Sequence, residues 1–514
     1  MHKNLPRSAS IVLLLAAFTG TASAQGCRDV PIPFADYRFA SVSGGAGSLI
    51  SAEGSRLVLQ AVPPGAAPNA GAEVFLFNPL DGSARQLTTG TVAATSPLGT
   101  PDPYVRGVSG ITADGSKIFL TGAATSSFPF VNRPGAPSAQ EEVLNGQAGP
   151  AEILDLASNT RTPLRTLDTS NLRPDQLYTA SISAQSSDGN QLLLSEAIID
   201  FLDYTAPSGR TFRIVLRRGT VATGLYDLRT GAYTDVVSRI VAATGVPNFL
   251  PTNATGTPYL MSGDANAFAF QSDINLLDPQ KRFWFQTPGN VAGINFVAYV
   301  YYRDENRIAV IGPPDIAGPP RPAGASSSIF VRNIGNTGRR FALDRGAPWL
   351  GAERNPTWQA VPAVVEVGQN VRYLVPPLPQ LPDRGIFTNS LSRISKSERF
   401  VYFSHTSDLV AGLNPGRSQE LYQFDLQTNR IRQITQFNDD LFARFGALLQ
   451  SPNLSGVYQI SVQDSNEASD RVIAYTRSGF ISTRTVTRDA SGRVLISNAD
   501  ARTATDVFRV AVCN

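Results

Sequence analysis

Short hydrophobic segments rich in Val, Ile, Leu, Phe and Tyr recur along the chain, often alternating with polar residues. This pattern predicts β-strands, because successive side chains on a strand point to opposite faces. Pairs of these segments flank polar two-residue turns: Asp81-Gly82, Ser158-Asn159, Thr230-Gly231, Glu305-Asn306 and Thr428-Asn429, with a later turn near Gly479. Since Gly and Asn tolerate positive φ, each pair predicts a tight β-hairpin.

A second hairpin precedes most of these copies. Its turns are centred on Glu53-Gly54, Asp114-Gly115, Asp188-Gly189, Asp264-Ala-Asn266 and Ser397-Glu398. Two hairpins per repeat make a four-stranded antiparallel blade, and blades repeated around an axis leave only short, protected edges. We therefore predict an all-β chain that forms a single β-propeller over residues 25–514.

The number of blades depends on the interval between Asn306 and Asn429, which must hold one more turn. The candidates are Gly335-Asn336 and Gly368-Gln369. Seven blades is the most consistent count, and six or eight are the alternatives. Proline clusters at about 312–384 predict extended loops, so this region is either a degenerate blade or an insertion.

The turn sequences resemble those of bacterial TolB-like, WD40-like propeller repeats. The first turn has the form Ser-x-Asp-Gly, as in Ser186-Ser-Asp188-Gly189, and the later turn has the form Asp-Leu-x-Thr-Gly, as in Asp227-Leu-Arg-Thr230-Gly231. The resemblance implies the propeller fold and says little about function, because the repeat is generic. The Gly-His and Trp-Asp pairs of true WD40 repeats do not occur in the sequence.

Residues 1–24 have the pattern of a cleaved export signal. A basic start with Lys3 and Arg7 precedes the apolar segment Ile11–Phe18, and Ala22-Ser-Ala24 supplies a small-residue cleavage site. The apolar segment is too short to span a bilayer, and no later segment is long enough. We therefore expect a periplasmic or secreted protein, with an uncleaved anchor or a lipid on Cys27 as alternatives.

Composition and charge narrow the function classes. The formal net charge is +3, from 44 basic and 41 acidic residues, and removal of Lys3 and Arg7 leaves 42 − 41 = +1. This balance does not favour nucleic-acid binding. Two Cys and two His exclude zinc fingers and other metal clusters built on these residues. Nucleotide-binding glycine loops and a Gly-x-Ser-x-Gly elbow are also absent from the sequence.

The two cysteines lie near opposite ends of the predicted mature chain. We expect Val30–Phe39 to form an N-terminal strand that pairs with the C-terminal strand Asp506–Val512 and closes the ring. Cys27 and Cys513 would then be neighbours, and an exported protein with two cysteines commonly joins them in a disulfide. Lipidation of Cys27 or two free thiols are the alternatives.

The middle loop of each repeat is predicted to lie on one face of the propeller. These loops are long and varied, as in Ala61–Ala72, Ala123–Pro150 and Ile198–Thr220, whereas the first and third turns are short. Loop insertions on one face are typical of a binding face. We therefore predict a monomeric scaffold that binds a protein or an envelope polymer through the long-loop face. The alternative is an enzyme that hydrolyses or cleaves glycans with loop carboxylates, for which Glu141-Glu142, Asp200, Asp203 and Asp439-Asp440 are candidates.

Candidate binding residues on the long-loop face are His405, Asp408, Asp273 and Glu196. His405 is the only histidine after the signal, in Ser404-His405-Thr-Ser-Asp408, and Asp273 belongs to a related Ser-Asp pair. Triads are assembled from separate parts of a fold, so this local Ser-His-Asp order does not indicate catalysis. Capping of a turn by Asp408 is the simpler interpretation. We predict no cofactor, with calcium near Asp408, Asn414 and Glu420 as the alternative.

Overall fold

The computed structural model describes the chain from Val30 to Val512 with gaps. The described residues are 30–31, 38–39, 49–62, 65–66, 73–78, 81–88, 94–95, 101–102, 107–121, 124–128, 141–145, 149–165, 167–205, 211–246, 259–272, 274–278, 297–311, 330–346, 361–367, 371–374, 393–405, 407–414, 420–434, 457–463, 471–478, 485–488, 494–497 and 505–512. The predicted export signal (residues 1–24), Asp273, Asp439, Asp440, Cys27 and Cys513 lie outside them.

Strands make up almost all of the regular structure in these ranges, as the alternating pattern predicts. In chain order they are β1 (Val30–Pro31), β2 (Arg38–Phe39), β3 (Leu57–Val62), β4 (Glu73–Phe77), β5 (Ala84–Gln86), β6 (Ala94–Thr95), β7 (Pro101–Asp102), β8 (Val108–Ile111), β9 (Lys117–Leu120), β10 (Ala124–Phe128), β11 (Glu141–Asn145), β12 (Glu152–Asp155), β13 (Thr160–Pro163), β14 (Gln176–Gln185), β15 (Gln191–Thr205), β16 (Thr211–Asp227), β17 (Tyr233–Asp235), β18 (Leu260–Met261), β19 (Ala267–Ser272), β20 (Val297–Tyr302), β21 (Arg307–Val310), β22 (Phe330–Ile334), β23 (Arg340–Gly346), β24 (Val361–Glu366), β25 (Val371–Tyr373), β26 (Arg393–Ile394), β27 (Phe400–His405), β28 (Glu420–Asp425), β29 (Arg430–Gln433), β30 (Val457–Gln463), β31 (Arg471–Ser478), β32 (Thr485–Arg488), β33 (Val494–Ser497) and β34 (Thr505–Val512).

These strands form seven antiparallel sheets of at least four strands within the described residues. Numbered along the chain, their strand orders are β2-β3-β4-β5, β8-β9-β12-β13, β14-β15-β16-β17, β18-β19-β20-β21, β22-β23-β24-β25, β26-β27-β28-β29 and β30-β31-β34-β1. Sheet 3 also carries β10 and β11, and β6-β7 and β32-β33 are separate two-stranded pairs. Four-stranded antiparallel sheets in sequential order confirm the all-β propeller prediction.

The hydrophobic core lies between neighbouring sheets. Leu57 of sheet 1 packs in one cluster with Ile118 of sheet 2, and Phe119 of sheet 2 packs in another with Tyr178 of sheet 3. The pattern continues between sheets 3 and 4, 4 and 5, and 5 and 6. Sheets 2 to 5 therefore bury both faces against their neighbours, which explains why inner strands such as β19 and β20 are buried at every position.

The first and last parts of the chain meet in sheet 7. Val30 pairs with Arg509 and Pro31 pairs with Phe508, so β1 adds an outer strand to the C-terminal sheet. The predicted single strand Val30–Phe39 is instead divided, because Arg38–Phe39 pairs with β3 in sheet 1. The first two strands of the chain therefore belong to different sheets, β1 to sheet 7 and β2 to sheet 1.

The predicted turn residues adopt the left-handed backbone that their hairpins require. Gly82, Asn159, Gly231, Asn306 and Asn429 all have φ between 46° and 75°. In the first turn, a Ser or Thr hydroxyl bonds the Asp two residues later and accepts the N–H five residues later, as Ser262 does with Asp264 and Ala267. These local bonds fix the turn independently of the rest of the fold.

Four features differ from the sequence-based expectations. The region 312–384 contains a complete sheet, in which Gly335-Asn336 forms the first turn and the second candidate, 368–369, falls in the third connection, between β24 and β25. Within the predicted loop Ile198–Thr220, residues 198–205 and 211–220 instead continue two paired strands. No tight turn at Gly479 joins the strands of sheet 7, because β31 pairs directly with β34 and the β32-β33 hairpin lies between them in sequence.

The fourth difference is a helix, α1 (Val236–Thr244), which the strand-based prediction missed. Asp235 caps its start by accepting the Ser238 N–H, and Gly245 ends it at φ 70°. Val236 and Ile240 are buried against the core of sheet 4. An Asp before an apolar segment and a Gly after it were the sequence signal for this helix.

Candidate binding face

The side of the propeller that carries the short turns is held by bonds between neighbouring sheets. The Ala52 N–H donates to the Ala113 carbonyl, and the Ser187 N–H donates to the Gly263 carbonyl. Thr337 donates its hydroxyl to Glu398 of the next sheet, 3.1 Å away. Because the turns bond to one another, much of their polar surface is already used within the fold.

The opposite side carries the long middle connections and one projecting arm. The arm consists of the outer parts of β15 and β16, which remain paired from Ala197–Thr220 to Thr205–Thr211. The hairpin β10–β11, which belongs to the middle connection of sheet 2, pairs with it through Val143 and Ile214. Two consecutive sheets therefore join in one extension on the long-loop side.

All large hydrophobic side chains that are exposed in the described residues lie on this side. They are Leu202 (37% exposed), Leu216 (54%) and Val221 (43%) on the arm, Leu277 (50%) after β19, and Leu413 (41%) after β27. Exposed apolar side chains concentrated on one face are typical of an interaction surface. Sequence reasoning did not identify these residues, because their exposure depends on packing.

His405 is buried at the end of β27, with 3% of its surface exposed. Its Nδ1 accepts the Ser407 N–H at 3.0 Å, so the neutral ring carries its proton on Nε2. Burial lowers the pKa of His405 to about 4. His405 was predicted as a binding residue on the long-loop face, but its ring caps the start of the loop and does not face solvent.

The same capping device occurs in sheet 4 with a different residue. Ser272 ends β19, and its hydroxyl oxygen accepts the Ile274 N–H at 3.1 Å. In both loops a tyrosine on the third strand donates to a loop carbonyl, Tyr299 to Ile274 and Tyr422 to Ser407. The equivalence with Ser272 explains His405 as a loop-capping residue. Asp273, the predicted candidate beside Ser272, lies outside the described residues.

Asp408 organises the loop that follows His405. Its Oδ2 accepts the Gly412 N–H at 2.8 Å, and its Oδ1 accepts the Asn414 N–H at 2.9 Å. These contacts agree with the turn-capping interpretation of Asp408. In the described residues, no group of three or more His, Cys, Asp or Glu side chains is arranged to hold a metal ion.

Glu196 lies in β15 and is buried, with 1% exposure. Its Oε1 accepts the Tyr178 hydroxyl at 2.6 Å and lies 3.6 Å from Arg165 Nε. The Arg165 guanidinium in turn stacks over the Tyr233 ring at 3.9 Å. Arg165 follows the last strand of sheet 2 and the other three belong to sheet 3, so this cluster joins two sheets at their long-loop ends.

The cluster favours neutral tyrosines. Burial and the hydrogen bond to Glu196 raise the pKa of Tyr178 well above its usual range. Burial and the Glu196 charge likewise raise the pKa of Tyr233. Among the described residues Glu196 Oε2 has no hydrogen-bond partner. Sequence reasoning selected Glu196 but gave no sign of its three neighbours, which come from separate segments.

The predicted site residues do not form one site. His405 and Asp408 belong to sheet 6, whereas Glu196 belongs to sheet 3. Of the candidate catalytic carboxylates, Asp200 is paired with Arg173 at 3.3 Å and Asp203 with Arg213 at 3.1 Å. Both of these carboxylates, which the sequence analysis grouped as catalytic candidates, therefore form ion pairs with arginines.

No helix in the described part of the chain has the length and apolarity needed to cross a membrane.

No protein-family model and no curated protein matches the sequence. Among solved structures, an oligogalacturonate lyase in complex with manganese is similar at 10% identity and a TM-score of 0.43, over 95% of this chain and 98% of that chain. TolB from Acinetobacter baumannii is similar at 11% identity and a TM-score of 0.28, over 88% and 80%. A putative TolB from Agrobacterium tumefaciens is similar at 12% identity and a TM-score of 0.29, over 68% and 84%.

Proposed function

We propose that the chain is an exported propeller scaffold that binds a partner protein through its long-loop face. The observation that carries this proposal is the position of the exposed Leu and Val side chains, all of which lie on that side of the described residues. Water-exposed leucines gain free energy when a partner covers them, roughly 25 cal/mol per Å² of apolar area. The bonded short-turn side offers no comparable apolar surface in the described ranges.

The polar candidates support binding more than catalysis. His405 is buried and neutral, and its Nδ1 is used by the loop, so it cannot serve as an exposed general base. Asp200 and Asp203 each have an arginine partner. A glycan-cleaving enzyme needs two carboxylates that face a substrate. The export signal pattern and the near-neutral mature chain place the scaffold, in this proposal, in the periplasm or outside the cell.

The test is affinity capture of the tagged, exported protein from its own cell envelope with mild crosslinking. The variant Leu202→Asp/Leu216→Asp places two charges on the arm, and Gln427→Asp places one on an exposed short turn as the matched control. We expect one dominant partner protein that the control retains and the arm variant loses by at least about tenfold. Equal capture by all three proteins would contradict the proposed face. Cleavage of polysaccharides by the wild-type protein, with no captured protein, would replace the proposal with the glycan-enzyme alternative.

A further inference from the structure

The seam between sheets 1 and 2 contains an open groove on the short-turn side, away from the proposed protein-binding face. Its volume is about 530 Å³, within the range of small-ligand and peptide pockets. The lining comes from the turns of both sheets: apolar groups from Leu76, Ala84 and Leu156, and polar groups that include Ser83 and Ser116. Among the described residues, the charged ones that line the groove are Arg56 and Arg85.

Both guanidinium groups are held across the seam by backbone carbonyls of sheet 2. Arg56 Nη1 donates to the Gly115 carbonyl at 2.7 Å, and Arg85 Nη2 donates to the Leu156 carbonyl at 3.4 Å. Gly115 has φ of 69°, and a Cβ there would lie 2.6 Å from Arg56 Cδ, so this close approach requires glycine. A guanidinium has five N–H donors, and one carbonyl leaves most of them available.

Neither arginine has an acidic partner among the described residues. In the described part of the chain, no carboxylate oxygen lies within the 4.0 Å ion-pair distance of Arg56 or Arg85. Four carboxylates stand nearby in sequence, but each is bonded within its own turn. Glu53 accepts the Ser55 hydroxyl, Asp81 the Ser83 N–H, Asp114 the Ser116 N–H, and Asp155 the Ala157 N–H.

We propose that this groove binds an acidic peptide segment, with its carboxylate between Arg56 and Arg85. Arginine and carboxylate form charge-assisted, often bidentate hydrogen bonds, which are stronger than hydrogen bonds between neutral groups. The apolar lining favours a peptide whose acidic residue is flanked by small or aliphatic side chains. Among the described lining residues Phe77 is the one aromatic residue, and it is fully buried, so this described lining presents no exposed ring on which a sugar could stack.

The probes are two synthetic heptapeptide mixtures with Ala, Val and Leu flanks. One has Asp or Glu at the centre, and the other has Asn or Gln. Binding to the full-length exported protein is followed by fluorescence polarisation of labelled peptides. We expect the acidic mixture to bind at least about tenfold more tightly than the neutral one, and added salt to weaken it.

The variants are Arg56→Gln/Arg85→Gln, the single variant Arg85→Gln, and Arg161→Gln as the matched control. Arg161 also reaches across the seam, to the Leu87 carbonyl at 3.3 Å, but does not line the groove. We expect the double variant to lose at least about tenfold in affinity and the control to keep it. If loss of the Gly115 contact unfolds the double variant, the single variant Arg85→Gln tests the proposal. Arg85 is exposed, so its replacement should leave the fold intact.

Equal binding of both mixtures, no binding of the acidic one, or an unchanged affinity in the arginine variants would overturn the proposal. Arginine-dependent binding of polygalacturonate without peptide binding would overturn the peptide assignment. The arm variant Leu202→Asp/Leu216→Asp should bind the acidic mixture normally, so this groove and the long-loop face are tested separately.

Discussion

His405 should make this protein sensitive to mild acid, and the effect can be isolated because it is the only histidine after residue 24. In the folded protein burial lowers the pKa of His405 from 6.5 to about 4. In the unfolded chain the ring is solvated and titrates near its ordinary pKa of about 6.5. Between these values the unfolded state binds more protons than the folded state. Stability is therefore complete above about pH 6.5 and is lost as the pH falls towards 4.

The expected loss follows from the size of the shift. A difference of 6.5 − 4 = 2.5 pKa units corresponds to about 3 kcal/mol at about 1.4 kcal/mol per unit. The residue is 3% exposed, so solvent screening is small. Protonation has a second consequence, because Nδ1 would gain a proton and could no longer accept the Ser407 N–H. Acid should therefore weaken the 407–414 loop first.

The assay is urea unfolding of the wild-type protein and of His405→Asn between about pH 7 and pH 4. Asparagine does not titrate, and its carbonyl oxygen can still accept the loop N–H. The variant loses ring packing at every pH, so it should be less stable at pH 7, and the gap should narrow by about 3 kcal/mol at pH 4. The carboxylates, including Glu420 opposite His405 on β28, are common to both proteins.

A gap that stays constant across this pH range would refute the reasoning. So would an NMR titration in which the His405 ring protonates near pH 6.5 in the folded protein. Either result would mean that the ring is solvated and that the loop cap is not the state of the protein in solution.

Three further predictions concern stability and closure. Gly224→Ala should cost about 1–3 kcal/mol in thermal unfolding, because its Cβ would lie 2.6 Å from a backbone carbonyl oxygen of the adjacent strand. Gly219→Ala is the control, with its nearest atom at 3.6 Å, and an equal loss there would contradict the steric argument. Tyr178→Phe removes a 2.6 Å hydrogen bond to a buried carboxylate and should cost about 1.5–3 kcal/mol in urea unfolding; no measurable loss would contradict this. Peptide mapping without reductant should find Cys27 joined to Cys513, and free thiols on both would contradict the closure.

The disulfide prediction has a geometric condition. Val30 pairs with Arg509 and Pro31 with Phe508, so each step towards the N-terminus on β1 is a step towards the C-terminus on β34. Extended by three residues, the register would set Cys27 opposite Val512, one residue from Cys513. Adjacent residues on a strand point to opposite faces, so a bond would require a one-residue shift near the end of the strand. The mapping therefore also tests whether such a shift occurs.

The local parts of this structure followed from the sequence. Gly82, Asn159 and Asn429 fall at hairpin turns with positive φ, because turn conformation depends on a few neighbouring residues. The same local rule explains the Ser–Asp turns and the alternation along the strands. Sequential hairpins then made the all-β propeller predictable, since strands that follow each other closely usually pair.

The site depended on packing that no local pattern records. The sequence suggested His405 as a binding residue, and only the packing of the surrounding sheet makes it buried and neutral. Glu196 meets Tyr178 across adjacent strands of sheet 3, and it meets Arg165 because sheet 2 packs against sheet 3. The groove that Arg56 and Arg85 line likewise exists only because sheets 1 and 2 are neighbours. Sequence fixes backbone preference within a few residues, whereas burial, pKa and charge pairing arise from segments brought together over long distances in the chain.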